Sequence, residues 1–346
     1  MSEVKKVKSL LLAAGLSACM AAFGDPSMPG MGPGVNGARY ATDAYPGFDD
    51  TEEMTKPERK EPRWFSFING PNRANAADQL VYCQSLMADG DYAKARKQLD
   101  ALVREWPTAP EAPKAQQMLA EVCFDKLGDA ADAFSEYRYL LDFYSLQCDY
   151  GRMADMLYQV AGVMKIEGKE VMFVRFANTV DVRRAYETCV LRAPGAKWVP
   201  EAMMIIGGLR EEEGKYEAAA KVYENLRNTH PNAPEAKAAL AHEADVRMIL
   251  LREHAYNRSR CRDTIKFLEL ALRSCRADDL ETIRGYVDEA RRQIENEDYL
   301  GARFYDSTTR TKRSAINAYE KFLADHPNSA RADEVRARLE ALKGAE

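Results

Sequence analysis

Apolar positions beyond residue 75 recur at intervals of three and four residues, and the same pattern returns several times along the chain. Counted from a zero position, apolar or small residues stand at offsets 3, 7 and 10, and an aromatic, histidine or small residue stands at offset 14, which places them on one face of an α-helix. In several copies a proline at offset 15 cannot continue the helix. Six zero positions follow this pattern: Tyr92, Ala130, Thr179, Tyr216, Cys261 and Lys312.

A further helix start precedes several of these copies. Residues 109–112, 199–202 and 233–236 each carry a proline followed by a glutamate, as is typical of the first turn of a helix. Each copy therefore predicts a helical hairpin, and one hairpin cannot bury its own apolar stripe without neighbours. The hairpins resemble tetratricopeptide units, although their spacing of 37 to 51 residues exceeds the ~34 of that unit. We predict an all-α superhelical stack of about six tetratricopeptide-like helical hairpins over residues 75–346, with a C-terminal capping helix.

The composition excludes several classes of protein. The 346 residues are 46% hydrophobic and 30% charged, so the chain can bury a core and is neither wholly disordered nor collagen-like. Basic residues number 49 and acidic residues 54. This balance gives the chain no electrostatic attraction to nucleic acid, and we expect no nucleic-acid partner.

The first residues have the pattern of an export signal. Three lysines precede an apolar segment, residues 9–16, which is too short to span a membrane. The segment runs into four residues that resemble the bacterial lipobox: Leu16, Ser17, Ala18 and Cys19. The resemblance implies that residues 1–18 are a lipoprotein signal peptide and that the Cys19 thiol carries the lipid. Met20 stands where an aspartate often retains a lipoprotein in the inner membrane, so we expect a lipid anchor in the outer membrane, on its periplasmic face.

Residues 19–74 are rich in Pro, Gly, Met and charge and show no sustained period. We interpret them as a disordered tether, and some 50 such residues span roughly 40 Å. Residues 64–68, Trp-Phe-Ser-Phe-Ile, are an exception. They are either an aromatic clamp that packs on the first helix or a docking peptide for a partner.

Sequence motifs for catalysis are lacking. The sequence contains no CxxC pair, HExxH, GxSxG or P-loop, so no familiar zinc, nucleophile or nucleotide motif is present. The histidines have no metal-ligand spacing. We therefore predict that the protein is not an enzyme and that it needs no cofactor or metal.

Seven cysteines could be oxidised in an exported chain. The pattern places Cys83 and Cys123 on the first helices of adjacent hairpins, where a disulfide between them is one of two alternatives, and it leaves Cys148 unassigned. Cys261 and Cys275 are predicted to share one helix. They would then lie about 21 Å apart, too far for a disulfide.

Two runs of charge stand out. Residues 211–213, three glutamates before a turn glycine, are interpreted as a solvated helix end. Arg258, Arg260 and Arg262 are the sharpest basic cluster. This cluster is either a solvated face or a surface that meets lipid headgroups or an acidic partner.

The last repeat carries a more specific likeness. Residues 297–305, 315–317 and 325–329 resemble the final repeat of the BamD family, the lipoproteins of the outer-membrane β-barrel assembly machinery. The resemblance implies a scaffold that binds the barrel-inserting outer-membrane subunit through its C-terminal repeats and unfolded outer-membrane protein precursors through its N-terminal ones. Ala318 stands where the family commonly has a partner-binding arginine. The candidate partner-binding residues are Arg303, Tyr305, Arg313 and Asn317.

A different function remains open at this point. A periplasmic tetratricopeptide lipoprotein that serves a cell-wall or envelope-integrity complex of the Tol type would have the same repeats and the same anchor. The partner recovered from cells distinguishes the two.

Overall fold

The computed structural model describes residues 45–48, 59–61, 70–170, 179–253, 257–308 and 312–344. Within these ranges the chain forms thirteen α-helices and no strand, which confirms the predicted all-α class. The predicted signal peptide, the lipobox residues Leu16, Ser17 and Ala18, the lipidation site Cys19 and the aromatic residues 64–68 lie outside the described residues. None of the described helices is long and apolar enough to span a membrane.

The chain divides into two compact units, one that ends at Glu213 and one that begins at Gly214. In the first unit each helix packs on its neighbour along the chain, as a stack of hairpins requires. Its helices are α1 (Ala76–Ala88), α2 (Tyr92–Glu105), α3 (Ala112–Glu121), α4 (Ala130–Phe143), α5 (Tyr150–Glu170), α6 (Thr179–Arg192) and α7 (Val199–Glu212). A π-helical segment, Val122–Leu127, extends α3.

The second unit continues the same architecture. Its helices are α8 (Tyr216–Thr229), α9 (Pro234–Glu253), α10 (Arg258–Ala271), α11 (Leu280–Thr308), α12 (Lys312–Asp325) and α13 (Ala332–Lys343). Successive helices again pack against each other, and α13 lies against α12 as the predicted capping helix. A short 3₁₀ turn, Ala277–Asp279, precedes α11.

Local sequence explains where the hairpins turn. Gly90, Gly128 and Gly214 have φ of 80°, 70° and 71°, a left-handed conformation that residues with a Cβ rarely adopt. Asp91 and Asp129 follow the first two of these glycines, and each side chain accepts a hydrogen bond from a backbone N–H of the next helix. The glycine therefore ends one helix and the aspartate begins the next.

The repeated pattern corresponds to six helices of 14 residues each: α2, α4, α6, α8, α10 and α12. The small residue at offset 3 is buried wherever it is alanine, as at Ala95, Ala219 and Ala315. Offset 14 lies just past the helix, so the residue there caps the helix instead of joining its stripe, as Trp106 and His230 do.

One register prediction was wrong. Helix α10 begins at Arg258 and not at Cys261, because the Asn257 side chain caps it by accepting a hydrogen bond from the Arg260 backbone N–H. Cys261 therefore occupies offset 3, the small-residue position, and is fully buried. The helix ends at Ala271, so Cys275 lies beyond it and the two cysteines do not share a helix.

A cluster of buried charged side chains lies between α6 and α7, the last two helices of the first unit. Arg183 of α6 donates to Glu187 at 2.7 Å and to Glu213 at 2.7 Å, and Arg210 of α7 lies 3.2 Å from the same oxygen of Glu187. The Glu213 side chain is almost fully buried in this cluster. The interpretation of residues 211–213 as a solvated helix end is therefore wrong for Glu213, since its carboxylate is needed beside the two arginines.

Candidate functional site

The four predicted partner-binding residues lie on the hairpin of α11 and α12. Arg303 and Tyr305 stand in the last turns of α11, and Arg313 and Asn317 stand in the first turns of α12. All four side chains are exposed. Arg313 and Asn317 are four residues apart and so lie on one face of α12.

The exposed face of α11 also carries apolar side chains that the sequence analysis missed. Leu300 is 45% exposed, Phe304 61% and Tyr305 45%. At about 100° per residue, Leu300 and Phe304 lie around the helix between Arg303 and Tyr305. We call these four residues the α11 face. The i, i+4 spacing of Leu300 and Phe304 was the available signal, but residues 297–305 served only to indicate the family resemblance.

The opposite side of α11 is anchored in a core. Tyr299 and Ala302 are buried against apolar side chains of α12 and α13. The Tyr299 hydroxyl donates to the Glu334 carboxylate at 2.6 Å, and the Arg331 guanidinium lies 4.4 Å from the centre of the Tyr299 ring. These contacts fix the rotation of α11 and so keep the α11 face directed outward.

A polar contact holds the last turn of α11 in place. The Asp306 carboxylate accepts two hydrogen bonds from the Arg338 guanidinium, at 2.8 and 2.9 Å, and one from the Tyr319 hydroxyl at 3.1 Å. The Arg338 hydrogen bond lowers the pKa of Asp306. Burial, together with the hydrogen bond to Asp306, raises the pKa of Tyr319 to about 12. Asp306 therefore links α11 to both following helices as a carboxylate.

The basic cluster of α10 is only partly available to a partner. Arg258 pairs with Asp298 at 3.2 Å and Arg260 with Glu217 at 3.4 Å, whereas Arg262 lines an open cleft. The cleft has a volume of about 480 Å³, and its other lining residues are Ile294, Asp298, Lys321, Asp325 and His326. His326 is tied to Asp298 at 3.0 Å. The lining charges are mixed in sign, so the cleft has no clear preference for an anion or a cation.

The cysteines of the described chain are all free thiols, Cys83 and Cys123 included. Burial raises the pKa of each of these two thiols to about 12. No cluster of three or more potential metal-ligating side chains occurs within the described ranges.

Comparison with protein families supports the repeat assignment. A tetratricopeptide repeat model matches residues 84–146, and a second tetratricopeptide repeat model matches residues 201–233. These two segments are similar to tetratricopeptide repeats. The first of them spans α2, α3 and α4, and the α11 face lies outside both. Repeats of this kind stack to form surfaces that bind other proteins, so the chain is a candidate protein-interaction scaffold.

Three solved structures illustrate the structural similarity. A tetratricopeptide repeat protein from Parabacteroides merdae has 15% identity and a TM-score of 0.28, with 78% of this chain and 98% of that one covered. The C-terminal part of a TPR repeat-containing protein from Cytophaga hutchinsonii has 13% identity and a TM-score of 0.29, with 76% of this chain and 88% of that one covered. PilF of Pseudomonas aeruginosa has 16% identity and a TM-score of 0.23, with 76% of this chain and 97% of that one covered. No curated protein matches the sequence.

Proposed function

We propose that the protein is a lipid-anchored, non-enzymatic scaffold of the outer-membrane β-barrel assembly machinery. Its tetratricopeptide segments support the general role of a protein-binding scaffold. The specific role rests on the resemblance of its last repeat to the BamD family. The proposed partners are the barrel-inserting outer-membrane subunit and unfolded outer-membrane protein precursors.

The α11 face is the observation that carries the proposal. Leu300 and Phe304 are exposed beside Arg303 and Tyr305, in the hairpin where the resemblance implies the contact with the barrel-inserting subunit. Interfaces are enriched in aromatic residues and arginine, and such residues often dominate binding. Burying a leucine or phenylalanine side chain contributes about 1.5–3 kcal/mol, so losing both would weaken binding by more than tenfold.

Affinity purification tests the role of the α11 face. The tagged full chain should recover the barrel-inserting subunit from the membranes of cells that express it. The variant with Leu300→Ser and Phe304→Ser should recover at least tenfold less. Leu270→Ser is the matched control, because Leu270 of α10 is also 61% exposed and lies outside the α11 face.

The outcomes are distinct. Equal recovery by the double variant and the control would remove the α11 face from the proposal. Recovery of cell-wall or Tol-type proteins without the barrel-inserting subunit would overturn the proposed role in barrel assembly.

Attachment to the membrane has a separate test. We propose that Cys19 carries the lipid and that the protein is held at the periplasmic face of the outer membrane. Cys19→Ala should block incorporation of labelled fatty acid and move the protein out of the outer-membrane fraction. Unchanged labelling and fractionation would overturn the anchor and leave the test of the α11 face unaffected.

A further inference from the structure

Three residues of the predicted tether lie against helices α2 and α4 of the first unit. Lys60 of the segment Arg59–Glu61 directs its Nζ between α2 and α4, where it donates to Asp100 at 3.0 Å and to Glu136 at 2.5 Å. The same Nζ lies 5.2 Å from the centre of the Tyr139 ring. Only 12% of the Lys60 side chain is exposed. Two carboxylates and an aromatic face therefore surround one ammonium group.

The neighbouring contacts hold the backbone of this segment. The Lys60 backbone N–H donates to the Tyr139 hydroxyl at 3.4 Å, and the Arg104 guanidinium donates to the Glu61 carbonyl at 3.0 Å. The Arg59 guanidinium lies 5.1 Å from the centre of the Phe143 ring. Contacts to backbone groups combined with a pocket for one side chain are the usual way in which an extended peptide is recognised.

The pocket is supported by groups other than Lys60. The Gln116 side chain, which is fully buried, donates to the Glu136 carboxylate at 2.6 Å and to the Glu136 backbone carbonyl at 2.9 Å. Arg104 donates to Asp100 at 2.8 Å. These bonds come from α3 and α2, so they position both carboxylates even when Lys60 is absent.

The electrostatics of the pocket favour a cation. Burial alone would raise the pKa of Asp100, but the Lys60 ammonium and the Arg104 guanidinium outweigh it, and the pKa of Asp100 is lowered. Removal of Lys60 would take an ammonium charge away from between the two carboxylates. Such a site selects a positively charged side chain over a neutral one.

We propose that Asp100, Glu136 and Tyr139 form a lysine-binding site for a basic, extended segment of a partner protein, and that Arg59–Glu61 occupies this site in the free protein as an intramolecular competitor. We call these three residues the lysine site. The lysine site lies within the tetratricopeptide segment 84–146 and is separate from the α11 face.

Arg59–Glu61 belongs to the same chain as the lysine site, which explains how so small a segment can occupy that site. Glu61 is followed by Pro62, which disfavours helical backbone at Glu61. A segment of the same chain competes with a free partner at an effective concentration set by the length of the chain that joins it to the site. A partner that adds contacts beyond one lysine can therefore displace it.

A peptide-binding measurement tests the proposal. The probe is a fluorescein-labelled peptide with the sequence of residues 54–66, and its binding to the full chain is followed by fluorescence anisotropy. The Lys60→Ala variant should bind the peptide at least tenfold more tightly than the native chain, because the competitor is weakened. Lys97→Ala, a change at an exposed lysine of α2, should leave the native affinity unchanged.

Two further variants test the chemistry of the lysine site. The first variant is a peptide in which methionine replaces the lysine that corresponds to Lys60. It should bind the Lys60→Ala protein at least tenfold more weakly than the original peptide does. This comparison changes no residue of the folded protein. Adding Glu136→Gln to Lys60→Ala should reduce binding of the original peptide similarly. The proposal would be overturned if the original peptide bound the native chain and Lys60→Ala equally, or if it bound neither protein. It would also be overturned if the original and the methionine peptide bound Lys60→Ala equally.

Discussion

Arg183 donates a hydrogen bond from its guanidinium to the Glu187 carboxylate at 2.7 Å, and neither side chain is exposed to solvent. Arg210 and Glu213 also belong to this cluster, in which buried charges of both signs lie together between α6 and α7. A buried pair of this kind does not by itself make a fold more stable than apolar packing would. Removing one member is costly, because the remaining charges stay buried without compensation.

We predict that Arg183→Met lowers the free energy of unfolding by about 3–5 kcal/mol. Methionine fills a similar volume but removes the guanidinium that lies 2.7 Å from both Glu187 and Glu213. Urea unfolding of the full chain, followed by circular dichroism, measures the change. Arg184→Met is the matched control, since Arg184 is the next residue on α6 and is exposed, and we expect it to stay within about 0.5 kcal/mol of the native chain. Equal effects of the two changes would contradict a structural role for the cluster.

The two glycines of α11 provide a second comparison. A Cβ at Gly285 would meet no atom within 4 Å, whereas a Cβ at Gly301 would overlap the Arg258 guanidinium. Alanine is more favourable than glycine in a helix interior by about 1 kcal/mol. We expect Gly285→Ala to stabilise the chain by about that amount.

Gly301→Ala should gain less than Gly285→Ala. The Arg258 guanidinium would have to leave the Glu297 carbonyl, to which it donates at 3.0 Å, and Asp298. Arg258 is half exposed, so its ion pair contributes at most about 1 kcal/mol, which is enough to cancel the helical gain. Thermal unfolding of both variants measures the difference, and an equal rise in midpoint would show that Arg258 moves at no cost.

The sequence predicted the parts of this fold that repeat. Ala95, Ala219 and Ala315 share the offset at which a neighbouring helix approaches closely, and all three are buried. The predicted start of α10 was three residues too late. Its first turn, Arg258-Ser259-Arg260, is polar, so no apolar residue marked the beginning of the helix. The cap at Asn257 was the signal that would have fixed the register.

The contacts of single charged residues could not be predicted in the same way. Arg183 falls in a charged stretch that is normally interpreted as a solvated face, and only the packing of α6 on α7 shows that it is buried. Lys60 lies in a segment without period, and its two carboxylate partners are 40 and 76 positions further along the chain. Such long-range pairings leave no trace in local periodicity.

Thiol reactivity should distinguish the buried cysteines from the partly exposed ones. Cys83 and Cys123 are buried, and burial raises the pKa of each thiol to about 12, so at pH 8 almost no reactive thiolate is present. Cys148 and Cys275 are partly exposed. We predict that iodoacetamide modifies Cys148 and Cys275 in the native chain and leaves Cys83 and Cys123 unmodified until urea is added.

Peptide mass spectrometry checks this result residue by residue. The denatured chain is the control, in which all of these thiols should react. Because Cys83 and Cys123 are free, a reductant should not shift the urea midpoint of a freshly purified chain. A lower midpoint in reductant would instead indicate the disulfide that the sequence left open.

The contact between Asp306 and Arg338 predicts a dependence of stability on pH. The hydrogen bond from Arg338 lowers the pKa of Asp306 below the ordinary value of about 3.9. The carboxylate is then favoured in the folded state, so its contribution is fully present above about pH 4 and is lost as the pH falls through the lowered pKa. Asp306→Asn should reduce stability by no more than about 1 kcal/mol at pH 7, because Arg338 is half exposed.

The difference between the native chain and Asp306→Asn should therefore be constant from pH 7 to pH 5 and should shrink below pH 4. Asp333→Asn is the control, since the Asp333 side chain on α13 is almost fully exposed while it pairs with Arg336. We expect that control to match the native chain across the whole range. Urea midpoints taken at intervals from pH 7 to pH 2 measure both differences. A gap between the native chain and Asp306→Asn that widened on acidification would mean that the neutral acid, and not the carboxylate, is the form that α11 holds against Arg338.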